Sequence, residues 1–399
     1  MSARAAAAAL AALSFCTSAG LAAAQPARAL ELRAPRLVAT GTAVGLHGSG
    51  AQAGERVRIE IRLEDGRWAG LAGARADPAG RFRRDVRPKQ PRRRIVLRAR
   101  GADGAPSRRV VVRTRAVTLA SVGDINLGDG PGAVMALRGF SYPWTGTAAS
   151  LRAADVAFGN LECAVSLRGA PVPKEYNFRG PPAALRVMAR YAGFDVLNLA
   201  NNHTGDYGTA AMLDTVQHVR RFGMVPVGAG GSLAAAAKPR VVERLGLRIA
   251  FVGFSNILPA SFFAGPGRAG TQPATPELIA AGVRAASKRA DVVIATFHWG
   301  VERSPREDGR QRAFAATALS AGADAVIGAH PHVLQPIVRS GRRLVAYSLG
   351  NFVFGAASPG TTRTGILRLK LSTRGIEGAR LAPAVIEGTR PRLLRGLTP

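Results

Sequence analysis

The octapeptide GAHPHVLQ, Gly328 to Gln335, follows the apolar run Ala323 to Ile327 and places His330 and His332 two residues apart, in a chain of 399 residues with six histidines. Pro331 fixes its own φ and biases His330 toward an extended conformation, so the two imidazoles are expected to leave a turn at a strand end. Neutral imidazole is the commonest metal ligand, and two rings leaving one turn can serve one small site. An isolated His-Pro-His is also a plain loop. Its meaning depends on what other strands deliver beside it.

Four more apolar runs end in polar clusters. Val117 to Val122 leads into Gly123-Asp124-Ile125-Asn126, Asp155 to Phe158 into Gly159-Asn160-Leu161-Glu162, and Phe194 to Leu199 into Ala200-Asn201-Asn202-His203. Asp291 to Phe297 leads into His298-Trp299-Gly300-Val301-Glu302. Apolar strands alternate with helical stretches from Val117 onward, the pattern of an α/β fold. In open α/β sheets ligands bind outside the carboxyl ends of the strands, so these clusters are expected to meet at one edge.

The residue types suit one another. Asp124 and Glu162 offer carboxylate oxygens, Asn202 an amide oxygen, and His298, His330 and His332 ring nitrogens. Such a mixed O/N set favours Mn, Fe or Zn over Ca or Mg. Two cations about 3.5–4 Å apart, sharing a carboxylate, activate water for hydrolysis. Each member also has a plain structural reading: Asp124 or Asp206 as a helix cap, Asn202 as a turn amide, His298 as a core histidine. Five such clusters at five strand ends argue for a site. Glu302 is an extra ligand or a partner that orients a histidine, or else an exposed carboxylate among Arg303 and Arg306. Asn351 follows the strand Arg343 to Leu349 and faces the same edge or steadies a turn. Arg179, near Tyr207 in purpose, is a candidate for pairing with a substrate carboxylate or phosphate. Gly128 to Gly132 reads as a turn.

The amino-terminal third has another character. Short alternating runs, Leu37 to Gly41, Arg56 to Leu63, Arg81 to Val86, Arg94 to Arg100 and Val110 to Arg113, are separated by DGR, ADPAG and ADGAP. Period-two alternation with turn residues between predicts a small all-β, immunoglobulin-like sandwich over 25–115, with 116–399 as the second domain. Residues 1–24 read as a signal peptide: Arg4, the Ala/Leu-rich run Ala5 to Leu13, and the small-residue exit Ala22-Ala23-Ala24. Export to the periplasm, cell surface or exterior follows. Cys163 is then the one cysteine left, so core packing and not a disulfide holds the fold.

The formal net charge is +30. Acidic partners are expected, or the arginines simply solvate the surface of a chain with biased composition. The basic run PKQPRRR, Pro88 to Arg94, is a polyanion contact or a solvated loop. No zinc-finger spacing and no basic heptad region is present, and the export signal points away from nucleic acid and toward an anionic envelope polymer.

GDINLG, NLECAVS, ANNHTGDYG, HWGVE, GADAVIGAHPHVLQP and YSLGNFVFG, in this order, resemble the CapA family, named for poly-γ-glutamate capsule synthesis, from about Val117 to Lys370. That family in turn resembles the calcineurin-like metallophosphoesterases, whose fold is a β-sandwich flanked by helices around a dinuclear metal centre. The resemblance implies that Asp124 binds a first metal and that Glu162 stands at the bridging position. It implies further that Asn202, His298 and His330 bind a second metal, that His332 completes the first, and that His203 protonates the leaving group. Asn126 stands where the phosphoesterases carry the histidine of Asp-x-His, and Glu162 replaces an aspartate. An amide ligates more weakly than imidazole, so the first metal is expected to be held more loosely.

Two functions follow as expectations. One is a metal-dependent hydrolase that cuts a phosphoester or amide bond of poly-γ-glutamate or a similar polymer. The other is a non-catalytic, basic subunit that binds the polymer for export or tethering beside membrane-bound polymer synthase subunits. A secreted nucleic-acid phosphoesterase rests on charge alone.

Overall fold

The computed structural model describes residues 29–88, 93–355, 358 and 360–394. The signal segment over 1–24 and residues 89–92 of the PKQPRRR run lie outside them. Residues 31–115 form two sheets. One joins Glu31–Arg33, Val44–Ser49 and Phe82–Val86; the other runs Leu37–Ala39, Val110–Arg115, Arg94–Arg100, Arg56–Arg62, Trp68–Arg75. Leu46, Val57, Ile59, Phe82, Leu97 and Val112 pack between them. In Arg94–Arg100 Ile95, Leu97 and Ala99 point inward and the intervening residues outward, as period two requires. Three of these strands, Glu31–Arg33, Val44–Ser49 and Trp68–Arg75, have no counterpart among the alternating runs. Gly45, Gly48, Gly70 and Gly73 dilute the alternation in the latter two.

The rest of the chain is a pair of sheets packed face to face. The first carries Val225–Val227, Val196–Asn198, Val156–Leu161, Val117–Ile125, Arg363–Ser372, Gly375–Glu387 and Arg390–Leu393 in that order, with Asn351–Val353 paired to the end of Val117–Ile125. The second runs Arg240–Arg244, Leu247–Ser255, Val292–His298, Ala325–Ala329, Arg343–Ala346, Ile337–Ser340. Leu119, Phe158, Val196, Ile249, Ile294 and Ile327 fill the space between, and Phe158 stacks on Phe251 across it at 5.6 Å.

Helices cover both outer faces. Gly208–Arg221 turns Ala211, Met212, Thr215, Val216 and Val219 inward, a stripe of helical period. On the other side lie Pro276–Ser287, capped by Thr275 and opened by Pro276, and Gly309–Ser320, opened by an Asp308/Gln311 capping box. The architecture is therefore helix, sheet, sheet, helix, a mixed α/β fold.

The polar motifs sit closer to the sheets than the sequence suggests. The parallel ladder continues past Val122, pairing Asn160 with Asp124 and Leu161 with Ile125, so Asp124 belongs to the strand itself. Gly123 allows this: a Cβ there would lie 1.8 Å from the carbonyl oxygen of Gly350, which accepts the Asp124 N–H. The stretch Gly128 to Gly132 is not a free turn; Asp129–Arg138 is a helix, and Pro131 is tolerated because a first turn needs no donor there. His330 is not extended. Its φ is +97°, and His332 follows with φ +59°.

Candidate metal centre

The strands that run parallel deliver their carboxyl ends to one edge. Asp124 lies in the last turn of pleat of its strand, Glu162 directly follows Val156–Leu161, His298 ends Val292–His298, and His330 follows Ala325–Ala329. Asp124, Glu162 and His298 are fully buried; His330, Asn202 and His203 retain 5%, 7% and 6% of their surface. His332 is half-buried and Glu302 is exposed.

Donor atoms of Glu162, His298 and His330 lie within 4.8 Å of one another, as do those of Asp124, Glu162 and His332. Glu162 is common to both groups. A third group joins Glu302 to His330 and His332. Asn202 belongs with the first: its Oδ1 is 2.7 Å from Nε2 of His298, which is itself 3.3 Å from Oε1 of Glu162.

Asp124 is held from three sides. Its Oδ1 accepts from Nδ2 of Asn160 at 2.9 Å, its Oδ2 accepts the main-chain N–H of His330 at 3.2 Å, and Oδ2 lies 3.2 Å from Nδ1 of His332. The same Nδ1 is 2.9 Å from Oδ1 of Asn351, whose Nδ2 donates to the carbonyl of Thr361. Asn351 thus orients the His332 ring. The Asp124 bond to the His330 N–H explains the positive φ that proline sterics alone do not favour. The Glu302 loop is fastened by the Gly328 to Gln335 stretch: Arg303 N–H donates to the Pro331 carbonyl, and Gln335 Nε2 donates to the carbonyls of Ser304 and Arg306.

A second cluster borders the first. Nδ1 of His203 is 2.6 Å from Oδ2 of Asp206, and the ring stacks on Phe178 at 4.1 Å. Lys174 Nζ donates to Asp206 Oδ1 at 2.7 Å and to the Asn202 carbonyl at 2.5 Å. Asp206 is wholly buried and does not cap the helix Gly208–Arg221 that follows it; it also accepts the Phe178 N–H.

The electrostatics favour cation binding. Burial, with repulsion from neighbouring histidines, pushes His298 well below the usual imidazole value and His330 to about 3, so both rings are neutral. Burial, reinforced by the Asp124 charge, drives the Glu162 carboxyl well above the carboxylate range. Burial opposes ionisation of Asp124 as well, but the His332 hydrogen bond and charge overcome it and hold Asp124 below its usual value. His332 is raised, the Asp124 interaction outweighing its burial. Two buried carboxylates cannot both ionise here without a cation.

Oε1 of Glu162 and Nδ1 of His330 are buried and make no hydrogen bond. Such orphaned acceptors are costly in a folded interior. They lie in one donor group with His298, and the imidazoles and carboxylates there are compatible with a divalent cation.

Asn126 and Arg179 have partners outside the donor groups. Asn126 Oδ1 accepts the Gly128 N–H at 2.7 Å, closing the turn before the helix. Arg179 lies over the Tyr207 ring at 3.6 Å and donates to the Gly169 carbonyl. Sequence reasoning passed over Asn160 and Lys174. Asn160 Nδ2 reaches Asp124, lies 3.5 Å from Oε2 of Glu162 and 3.2 Å from Nδ1 of His298. Lys174 had a signal: five of the 55 basic residues are lysines, and one of them sits in this cluster. Cys163, beside Glu162, is buried with its thiol pushed up to about 12 by burial, which leaves it an apolar packing residue.

Fold and side chains define an α/β sandwich protein with a buried carboxylate–imidazole cluster at the strand ends. The family described as "Bacterial capsule synthesis protein PGA_cap" matches residues 118–356, and the chain belongs to it. It is similar to the PGA biosynthesis protein CapA of Bacillus subtilis (strain 168), with 33% identity over 273 residues, 68% of this chain and 72% of the relative. The capsule biosynthesis protein CapA of Bacillus anthracis is 29% identical over 284 residues, 69% of each chain. Among solved structures, Haemophilus influenzae NAD nucleotidase (NadN) superposes with a TM-score of 0.42 at 13% identity, over 70% of this chain and 60% of that one.

Proposed function

We propose that the chain is an exported, metal-dependent hydrolase that cuts a phosphoester or amide bond in an anionic envelope polymer, poly-γ-glutamate or one like it. The observation that carries this reading is the pair of orphaned buried atoms, Glu162 Oε1 and His330 Nδ1, inside a shell of ligand-type side chains. The names of the two Bacillus relatives support the polymer. Asp124, Glu162 and His332 would hold one cation of a calcineurin-like pair, and Glu162, Asn202, His298 and His330 the other. Cations bound there supply Lewis acidity and activate water at neutral pH.

The remaining steps belong to the chain. Burial lowers the His203 pKa and Asp206, accepting from Nδ1, partly offsets it, so Nε2 is the atom from which a proton would pass to the leaving group. Phe178 fixes the ring plane, and Lys174 balances the Asp206 charge. Asn160 and Asn351 hold Asp124 and the His332 ring in register before a cation arrives. On this reading residues 25–115 are an immunoglobulin-like module outside the hydrolytic domain of 116–399, supported by the two sheets described above.

The net charge of +30 favours a second reading, a non-catalytic polymer-binding subunit working beside membrane-bound synthase subunits. Metal analysis of chelator-free protein, wild type against His330→Ala, run with a generic phosphodiester and with poly-γ-glutamate, separates the two. About two metals per chain, lost in the variant together with turnover, supports the hydrolase. Wild-type protein that takes up no metal and turns over neither substrate leaves the binding subunit.

A further inference from the structure

The outer face of the five-stranded amino-terminal sheet takes no part in the metal centre. Its register sets arginine directly against arginine three times: Arg56 with Arg75, Arg58 with Arg100, and Arg94 with Arg113. Like charges facing each other across an antiparallel pair destabilise a sheet. Within the five strands one carboxylate lies on this face, Glu60, and it is buried, bonded to Arg98 at 2.6 Å and to Arg100 at 3.3 Å. Glu60 balances the sheet centre and leaves the flanks basic. Arg56, Arg58, Arg94 and Arg113 are all exposed.

The face is also grooved. Gly70 and Gly73 point at open space and floor a depression walled by Arg56 and Arg58. A second depression is lined by Arg62, Arg93 and Arg94 with one carboxylate, Glu64, and a third by Arg36 and Arg113. Local arrangements that cost stability are expected at functional surfaces.

The geometry selects the ligand. Same-face residues recur along a strand at about 6.6–6.8 Å and between strands at about 4.8 Å, a lattice of planar forks suited to bidentate carboxylate capture. Single-stranded nucleic acid needs free aromatic platforms, whereas Trp68, the aromatic residue of this face, is covered by the Arg98 guanidinium at 4.1 Å. A lipid surface needs apolar wedges, and Val111 is the exposed large apolar side chain of these strands.

We propose that this face binds a linear polycarboxylate, at the end of the molecule where the parallel strands begin and not at the edge that carries the metal centre. The proposal rests on the anionic-polymer reading above but not on catalysis. The test measures anisotropy of fluorescent poly-γ-glutamate with the purified chain at about 50 and about 200 mM salt. The variants are a fourfold Arg56→Gln, Arg58→Gln, Arg94→Gln, Arg113→Gln protein, the corresponding fourfold Arg→Lys protein, and His330→Ala.

The glutamine variant should bind about tenfold or more weakly, with a shallower salt dependence, while keeping wild-type metal content and an unchanged or higher Tm. The lysine variant should fall between, since charge remains and the fork is lost. His330→Ala should bind as wild type does. Glutamine-variant binding within about twofold of wild type overturns the face and leaves the polymer reading intact. Wild-type protein with no affinity for the polymer overturns both. Tighter binding of single-stranded DNA of equal charge also overturns the proposal.

Discussion

The main-chain N–H of His330 donates to Oδ2 of Asp124 at 3.2 Å, and the same oxygen lies 3.2 Å from the His332 ring. One carboxylate therefore holds both ends of the His-Pro-His turn and keeps His330 at φ +97°. Non-glycine residues pay about 1–2 kcal/mol for such a conformation. His330→Gly should accordingly be more stable than His330→Ala by about 1 kcal/mol, a Tm difference of about 1–2 °C for a domain of this size. Thermal melts of the two metal-free variants check it, and equal midpoints would show that the turn carries no strain.

Lys174 and Asp206 form a buried pair, the lysine 18% exposed and the aspartate fully covered. Removing one partner of such a pair costs about 3–5 kcal/mol. Lys174→Met should lower stability by about that amount in urea titration, and Lys174→Met combined with Asp206→Leu should recover part of the loss.

His203 contributes no atom to the three donor groups. His203→Ala should leave metal content unchanged and lower turnover by about 10²–10⁴-fold, the usual worth of a general acid. Asp206→Asn should reduce turnover in the same direction, because the ring loses the acceptor at 2.6 Å. A fall in metal stoichiometry would move His203 into the ligand set.

Metal uptake should weaken on acidification through two groups, His332 and the Glu162 carboxyl, which burial and the Asp124 charge hold protonated. His332 has a raised pKa, since Asp124 outweighs burial, whereas His330 at about 3 stays neutral throughout. The cation then competes with the His332 and Glu162 protons, so affinity falls as pH drops below the raised values. More than one proton, up to about two, should be released per chain near pH 6.5, from His332 and Glu162, read by calorimetry in buffers of different ionisation enthalpy. In the metal-free chain the sign is opposite. The His332–Asp124 interaction stabilises the fold fully below the unfolded histidine value and fades as pH rises through the folded one.

The two regions meet at a clamp. Arg115, ending the amino-terminal sheet, donates to both carboxylate oxygens of Asp155 at 2.5 and 2.6 Å, and Thr118 N–H and Oγ1 also bond Asp155. These bonds overcome burial and hold the Asp155 carboxyl below its usual value. Its contribution is present above the unfolded carboxylate value and is lost as pH falls through the folded one. Asp155→Asn should cost about 1–3 kcal/mol at neutral pH and much less in acid, measured by denaturant titration at the two pH values.

Much of the sandwich and most of the donor set were legible in the chain. Apolar runs such as Val117 to Val122 and Asp291 to Phe297 are local signals, and so are the residue types that follow them: Asp124, Glu162, Asn202, His298, His330 and His332. The expectation that distant clusters meet needed one rule, that parallel strands bring their carboxyl ends to one edge. Family membership over 118–356 agrees with the motifs read there.

Tertiary structure decided what depends on register. A strand shifted by one residue presents its other face, so no local pattern reveals that Asn160 pairs with Asp124, or that Arg58 faces Arg100. Lys174 reaches Asp206 across 32 residues of sequence, and Asn126 turns its amide to Gly128. The positive φ of His330 is likewise a tertiary product. The sequence alone determined which chemical groups stand at the strand ends, because apolar spacing and side-chain type are properties of short segments. Which atoms of those groups face one another was decided only by packing two sheets together, since that fixes the distances between segments that share no sequence neighbourhood.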